Sequence, residues 1–177
     1  GGNQADFFWD AGETTEGDIV GVGVTRSYGA GSLDVYIVKF ASDGSVINET
    51  TVGDIDDDGA SQIICSDPNN IIVWGHTRNY GAIDRDLMYM VLNSNLELEY
   101  SDVAVVPGYQ ESQEIIQHSN SDFYIAAHSS EADPSHDMLM ARLNAFGGYQ
   151  WEQESGSSMH DGGEGVAERP NGNLLFL

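Results

Sequence analysis

Residues 17–40 read GDIVGVGVTRSYGAGSLDVYIVKF, and this stretch returns twice along the chain. Residues 69–92 read NNIIVWGHTRNYGAIDRDLMYMVL, and residues 121–143 read SDFYIAAHSSEADPSHDMLMARL, one residue shorter. The three stretches keep the same order of apolar runs and turns, at a spacing of 52 residues. A fixed period of this length is typical of repeat proteins, in which each repeat buries its faces only against its neighbours. We therefore divide the chain into repeat 1 (1–52), repeat 2 (53–104), repeat 3 (105–155) and a partial repeat 4 (156–177), which form one array.

Each repeat reads as four short strands separated by turns, and no stretch has sustained helical periodicity. In the first full pass of the period, strands are predicted at Ile19–Thr25, Asp34–Phe40, 46–51 and 60–65. Residues that tolerate positive φ stand between them, as in the hairpin signal Ser42-Asp43-Gly44-Ser45. We therefore expect an all-β protein.

The faces of these strands predict how the repeats assemble. The strand at Asp34–Phe40 is apolar on both faces, so both faces must be covered. The strand before it carries small residues where backbones come close together, such as Gly21 and Gly23 in repeat 1 and Gly75 in the equivalent strand of repeat 2. The strand after it is charged, which is typical of an exposed sheet edge. This combination predicts four-stranded antiparallel blades of a β-propeller, about three blades plus a partial one in an incomplete ring. A β-solenoid is the alternative architecture.

Composition excludes some classes of partner. Twenty-nine acidic residues against six Lys and Arg give a net charge of −23, which opposes binding to nucleic acid or to an anionic membrane. No run of 18 apolar residues occurs, so we expect no membrane-spanning helix. Cys65 is the only cysteine, and Glu or Gln stands at its equivalent positions, which argues against a reactive thiol.

The repeats resemble those of bacterial secreted and cell-surface β-propeller proteins, which are common among Bacteroidetes-type sequences. Their repeat has the form GG..DD..DGGyiiaGyTsSfGaG..DyliK..G..W. Residues 1–6, 17–31 and 34–40 are similar to its opening, middle and end, and Trp151 stands at its tryptophan position. The resemblance weakens in repeat 3, where Ala132-Asp133-Pro134 replaces the glycine loop. It implies kelch-like blades and a secreted or cell-surface location, and it implies no reaction.

An acidic loop, 52–59, is the candidate metal site. Asp54, Asp56 and Asp58 alternate and precede Gly59, as in the first half of a DxDxDG calcium loop, where oxygens at alternate positions converge on a hard cation. The acid that would complete either an FG-GAP or an EF-hand loop is replaced, by Gln62 and Cys65 respectively. The loop therefore predicts either a weak calcium site or a solvated acidic turn, and no other cofactor is expected.

Two loops after the glycine-containing strands form the candidate binding site. Arg26 and Tyr28 in repeat 1 and Arg78 and Tyr80 in repeat 2 occupy the same rim position, and Arg and Tyr are the residues that most often anchor recognition surfaces. The alternative is that the arginines neutralise nearby acids. An aspartate that precedes a strand in each full repeat (Asp34, Asp86, Asp137) is expected to cap the turn before that strand.

These observations favour a non-catalytic scaffold for binding or adhesion that recognises a protein or glycan ligand at its blade loops. The alternatives are a segment of a propeller hydrolase or lyase with an axial active site, and a structural spacer in a large surface protein. The phase of the repeat stops inside a strand at residues 173–177. We therefore expect the remaining blades to lie in the same longer polypeptide, and this chain alone to self-associate through 174–177 and the apolar faces of its end blades.

Overall fold

The computed structural model describes residues 1–67, 70–78, 85–104, 109–130, 137–157 and 161–177, which form fourteen β-strands. None of these residues lies in a helix that is long and apolar enough to cross a membrane. In chain order the strands are β1 (Asp6–Glu13), β2 (Ile19–Thr25), β3 (Asp34–Phe40), β4 (Val46–Val52), β5 (Asp58–Asp67), β6 (Asn70–Thr77), β7 (Asp86–Leu92), β8 (Leu98–Ala104), β9 (Tyr109–Gln117), β10 (Phe123–Ser130), β11 (Asp137–Leu143), β12 (Tyr149–Ser155), β13 (Val166–Glu168) and β14 (Leu174–Phe176).

The strands assemble into one sheet per repeat. Sheet 1 has the order β1-β2-β3-β4, sheet 2 the order β5-β6-β7-β8, sheet 3 the order β9-β10-β11-β12, and sheet 4 pairs β13 with β14. The expectation of an all-β protein with four-stranded antiparallel sheets is confirmed. Closure of these sheets into a propeller ring stays a prediction.

One strand was expected in the wrong sheet. The predicted strands at Ile19–Thr25, Asp34–Phe40 and 46–51 correspond to β2, β3 and β4. The fourth, 60–65, lies in β5, which pairs with β6 and belongs to the following sheet. The first strand of sheet 1 is instead β1, so the small-residue strand β2 lies between β1 and β3. Side-chain periodicity indicates which face of a strand is buried, but backbone hydrogen bonds decide its neighbour.

The described residues divide into two compact units, 1–83 with 88–103 and 84–87 with 104–177. In the first unit, sheets 1 and 2 pack face to face. Face A of sheet 1 carries Val20, Val22, Val35 and Ile37, face B is the opposite surface, and the same names apply to equivalent positions of the other repeats. Face A of sheet 1 packs against face B of sheet 2, which supplies Ala60, Ile63, Ile71, Val73, Met88, Met90 and Leu92.

The second unit repeats this contact with different side chains. Tyr124 and Ala126 occupy on face A of sheet 3 the positions that valines occupy in sheet 1. They pack against face B of sheet 4, formed by Val166, Leu174 and Phe176. These three residues stand at the repeat positions of Ile63, Ile71 and Val73. Face A against the next face B is therefore the contact that joins consecutive repeats within each unit.

A β-bulge recurs at the ninth position of the three full repeats. The register shifts across Trp9 in β1, Ser61 in β5 and Gln113 in β9. A Cβ placed on Gly23 or on Gly75 would lie 2.0 Å from a carbonyl oxygen of the neighbouring strand. The close backbone approach that small residues predicted in this strand is therefore confirmed at both glycines.

The charged strands lie at a sheet edge, as their sequence predicted. β4, β8 and β12 each form the last strand of a four-stranded sheet. Both β4 and β12 are exposed over most of their length. Acidic side chains such as Glu49, Glu99 and Glu154 lie along these edges. They discourage pairing with a strand of another chain, because like charges repel and ionised groups resist desolvation.

Candidate functional site

The rim loop of repeat 1 begins at a buried threonine. Thr25 Oγ1 accepts hydrogen bonds from the backbone N–H groups of Ser27 and Tyr28 at 3.0 and 3.3 Å, and donates to Asp6 Oδ1 at 2.5 Å. This hydroxyl, followed by the backbone N–H of Gly2, lowers the pKa of Asp6 to about 2. Asp6 is therefore ionised at neutral pH and holds the start of the chain against the rim loop.

The other end of the loop is held by Asp34. Its carboxylate is buried and accepts hydrogen bonds from the backbone N–H groups of Ala30 and Gly31 at 3.3 and 3.0 Å. Gly29 adopts φ of 98°, and a Cβ there would lie 2.3 Å from this carboxylate. The expectation that Asp34 caps the turn before its strand is confirmed, and the loop backbone is fixed at both ends.

A cleft of about 510 Å³ lies beside this loop, lined by Gly1, Gly2, Asn3, Gln4, Ser27 and Tyr28. The side chain of Tyr28 is 41% exposed, and its ring centroid lies 5.8 Å from that of buried Tyr36. The Tyr36 hydroxyl donates to Glu49 Oε2 at 2.6 Å, and burial followed by this bond raises the pKa of Tyr36. Tyr28 is therefore partly exposed and rests against a buried tyrosine that is held by Glu49.

The four rim residues singled out by the sequence do not behave alike. Arg78 pairs with Asp57, with 3.4 Å between Nη1 and Oδ2, so it follows the alternative in which an arginine neutralises a nearby acid. Arg26 is exposed, and no acid of the described part of the chain lies within ion-pair distance of it. Tyr80 lies outside the described residues. Tyr28 lines a cleft.

The acidic loop is shaped by hydrogen bonds among its own residues. Asp58 Oδ2 accepts from the backbone N–H of Asp54 at 2.9 Å, and Asp54 Oδ1 accepts from that of Asp56 at 3.0 Å. Asp58 is buried, and this burial raises its pKa. Asp6 and Asp161 stand at the same repeat position and accept the same bond. The Asp58 carboxylate thus has a structural role in the turn.

Among the described residues, no group of three or more His, Cys, Asp or Glu side chains is arranged to hold a metal ion. Calcium binding at Asp54, Asp56 and Asp58 stays a prediction, and thermal melting tests it. Calcium at 100 times its dissociation constant stabilises the folded chain by about 2.7 kcal/mol if the loop binds it. The melting temperature should then rise with calcium in the unmodified chain and stay unchanged in Asp56→Ala. An unchanged melting curve, or an equal rise in the variant, would assign the loop to a solvated turn.

One feature that sequence reasoning missed is an acid that joins consecutive repeats. Asp10 Oδ2 accepts a hydrogen bond from the backbone N–H of Ile63 at 3.0 Å, and Glu114 Oε2 accepts one from Val166 at 2.7 Å. Both donors hold the same repeat position, and Ile63 lies beside the β5 bulge, where the ladder is disrupted. The acceptors Asp10 and Glu114 also share one repeat position, and Gln62 holds that position in repeat 2. An acid or amide at this position in every full repeat is the sequence pattern that could have indicated these bonds.

A second missed feature is an ion pair that is present in two repeats. Lys39 Nζ lies 3.0 Å from Asp18 Oδ2, and Arg142 Nε donates to Asp122 Oδ2 at 2.9 Å. The two pairs occupy equivalent positions of repeats 1 and 3. Repeat 2 has neutral residues at both positions, Asn70 and Val91. Both positions are charged in repeats 1 and 3 and both are neutral in repeat 2, and this pattern could have indicated that the two residues form a pair.

Cys65 is half-buried against face A of sheet 1, where a Cβ on Gly12 would lie 2.9 Å from its Sγ. Burial, followed by the charge of Asp10, raises the pKa of its thiol to about 11. The thiol is therefore protonated at neutral pH, and this disfavours nucleophilic chemistry.

No protein-family model matches the chain, and no curated protein matches it significantly.

Proposed function

We propose that this chain is a non-catalytic binding module of a secreted or cell-surface β-propeller, and that it binds a glycan in the cleft beside Tyr28. The cleft itself, with an exposed aromatic ring on a fixed loop, is the observation that carries the proposal. Its volume of about 510 Å³ lies within the usual range for small-ligand sites. The resemblance to bacterial surface propellers supports the location.

The chemistry of the cleft suits a sugar. Asn3 and Gln4 offer amide donors and acceptors, and Gly2 has no side chain beside the ring of Tyr28, where an added Cβ would lie 3.3 Å from Cζ. The apolar face of a pyranose stacks on an aromatic ring, while its hydroxyl groups bond to amides. The loop is held before any ligand arrives, because Ser27 Oγ donates to Asp6 Oδ2 at 3.0 Å and accepts from Gln4 N–H at 3.0 Å. Preorganisation reduces the entropy that is lost on binding.

Glycan-array binding followed by calorimetry tests the proposal. We expect Tyr28→Ala to weaken the affinity for the best array ligand at least about tenfold, equivalent to about 1.4 kcal/mol. Tyr149→Ala is the matched control, because Tyr149 is 43% exposed on the edge strand β12 and Tyr28 is 41% exposed. The control should bind like the unmodified chain.

Equal loss of affinity in both variants, or no glycan bound at all, would contradict the proposal. Binding of a protein from the same surface with unchanged array results would favour a protein ligand at the loops. Release of shorter products from a bound glycan would favour the hydrolase or lyase alternative. Thermal melting of both tyrosine variants separates a lost contact from a lost fold.

A further inference from the structure

A histidine and a glutamate join sheet 3 to sheet 4. His118 lies in the turn between β9 and β10, and its Nε2 lies 3.0 Å from the Gly172 carbonyl oxygen and 3.3 Å from Glu168 Oε1. Glu168 ends β13, and Gly172 lies in the turn between β13 and β14. The side chains of His118 and Glu168 are only 11% and 23% exposed. A titratable ring therefore completes a largely buried contact between the two sheets.

The carboxylate of Glu168 is held in its ionised form. The Ser119 hydroxyl donates to Oε1 at 2.6 Å, and the Ser119 backbone N–H donates to Oε2 at 2.9 Å. The hydroxyl bond, followed by the backbone bond and the charge of His118, lowers the pKa of Glu168. Arg169, which follows Glu168 in the chain, is exposed. Glu168 therefore presents a fixed negative charge to the His118 ring.

The His118 ring is placed to take up a proton at Nδ1. With its proton on Nε2, the neutral ring donates to Gly172, and Nδ1 accepts the backbone N–H of Asn120 at 3.2 Å. Protonation of Nδ1 ends the Asn120 bond, but Asn120 is exposed, so water replaces it. The bond to Gly172, ahead of the charges of Glu168 and Asp122, raises the pKa of His118. The charged ring is therefore favoured at this junction.

Other charged groups beside the ring balance one another. The Tyr124 ring of β10 lies edge-on to the His118 ring, with 5.3 Å between the ring centroids. Arg142 of β11 lies over Tyr124 and donates from Nε to Asp122 Oδ2 at 2.9 Å. The charge of Asp122 is thus already paired within sheet 3. Glu168 is the carboxylate that meets His118 across the junction.

A second His–Glu pair spans the same junction. His128 Nε2 lies 3.9 Å from Glu164 Oε1, and a Cβ on Gly162 would lie 2.8 Å from the same nitrogen. Within sheet 3, Glu111 and Met138 pair with His128 in the strand register. The distance in this pair is longer than in the pair of His118, so we expect a smaller contribution from it.

The corresponding junction between sheets 1 and 2 has neither pair. Its four equivalent positions hold residues that form no His–Glu pair: Thr14, Val24, Ser61 and Cys65. Bonds from Ile63 to Asp10 and from Lys39 to the Ser94 carbonyl oxygen join those two sheets instead. The His–Glu pairs are therefore particular to the later junction and are not required by the repeat.

We propose that the junction between repeats 3 and 4 is a pH-sensitive contact, in which His118 and Glu168 hold the two sheets together more tightly in mildly acidic than in alkaline solution. The stabilisation by His118 is complete below its usual pKa of 6.5 and is lost as the pH rises through the raised value. The stabilisation by Glu168 is complete above its usual pKa of 4.5 and is lost as the pH falls through the lowered value. The contact is therefore strongest between pH 4.5 and 6.5. The proposal is independent of glycan binding beside Tyr28.

A double-mutant cycle at two pH values tests the proposal. Urea denaturation compares the unmodified chain, His118→Gln, Glu168→Gln and the double variant, so the effects of pH on the other groups of this acidic chain cancel. We expect the pair to be coupled by about threefold in the unfolding constant at about pH 5.5, as for a partly exposed ion pair, and by less than about 1.5-fold at about pH 9. Equal coupling at the two pH values, including none at either, would overturn the proposal, because the contact would then depend on neutral bonds alone.

Proton NMR of the histidine rings supplies a second readout. The pKa of His118 should lie above 6.5 in the unmodified chain and fall in Glu168→Gln, while His76 in the first unit should titrate alike in both chains. A His118 pKa at or below 6.5, or one that Glu168→Gln leaves unchanged, would also contradict the proposal. The repeat already carries a glutamine at the Glu168 position, Gln117, and a threonine at the His118 position, Thr14. If circular dichroism shows that His118→Gln does not fold, His118→Thr therefore replaces it in the cycle.

Discussion

Replacing Gly75 by valine is expected to lower the free energy of unfolding by at least about 3 kcal/mol. Gly75 lies in β6 opposite Ala60, and a Cβ there would stand 2.0 Å from the Gly59 carbonyl oxygen and 2.9 Å from Ala60 Cα. Backbone atoms cannot move aside as a flexible side chain can, so β5 and β6 would have to separate. That separation weakens the ladder and the core contact that face B of sheet 2 makes. Urea denaturation measures the loss.

Gly44→Ala is the control for the loss of a glycine as such. Gly44 has φ of 84° and nothing within 4 Å of an added Cβ, so alanine meets only a conformational cost there, of about 1 kcal/mol. A Gly75→Val chain within about 1 kcal/mol of the unmodified chain would contradict the prediction. It would also indicate that the strands accommodate a side chain here, as they do at buried Ala127, the equivalent position in repeat 3.

Replacing Lys39 by valine is expected to destabilise the first unit by about 3 kcal/mol, because it leaves one member of a largely buried ion pair. Lys39 is buried, its Nζ lies 3.0 Å from Asp18 Oδ2, and it also donates to the Ser94 carbonyl oxygen at 3.3 Å. Ser94 lies in the turn between β7 and β8, so the lysine links sheet 1 to sheet 2. The single variant loses this link and leaves a carboxylate without its cation.

The double variant Asp18→Asn/Lys39→Val supplies the matched control, because it places in repeat 1 the neutral pair that repeat 2 carries. We expect it to be more stable than Lys39→Val by about 1 to 2 kcal/mol, since no unpaired charge remains. A double-mutant cycle by chemical denaturation gives the coupling energy directly. Additive losses in the cycle would show that the pair contributes little and that Lys39 acts through its apolar stem and its bond to the Ser94 carbonyl oxygen.

Local patterns in this sequence were sufficient for most of the strands. β2 and β3 were expected at their observed bounds because alternation, β-branched residues and flanking turns act within a few residues of one another. The cap at Asp34 was equally local, since a short carboxylate reaches only the loop beside it. The pairing of β5 could not be predicted from local pattern, because β4 and β6 both lie next to it in the chain and only β6 is its partner in the sheet. Periodicity carries no information on which of them it bonds.

The candidate site divides in the same way. Tyr28 was found from its place in a repeated loop, whereas the cleft beside it depends on residues 1–4 meeting residues 27–28 across the sheet. Arg78 matched Arg26 in sequence, yet Asp57 pairs with Arg78 because β5 and β6 pair with Asp58 opposite Thr77, which places the two loops side by side in sheet 2. The bonds from Asp10 to Ile63 and from Glu114 to Val166, in contrast, cross between sheets.

The sequence by itself determined the period of 52 residues, the all-β class and the charged edge strands, because these depend on spacing and residue type along the chain. Only the tertiary structure decided which strand begins each sheet and which face A meets which face B. It also decided which acids pair with a cation and which bond to the next repeat. Those outcomes depend on distances between residues that are far apart in the chain, which are set when strands pair and neighbouring sheets bury their apolar faces together.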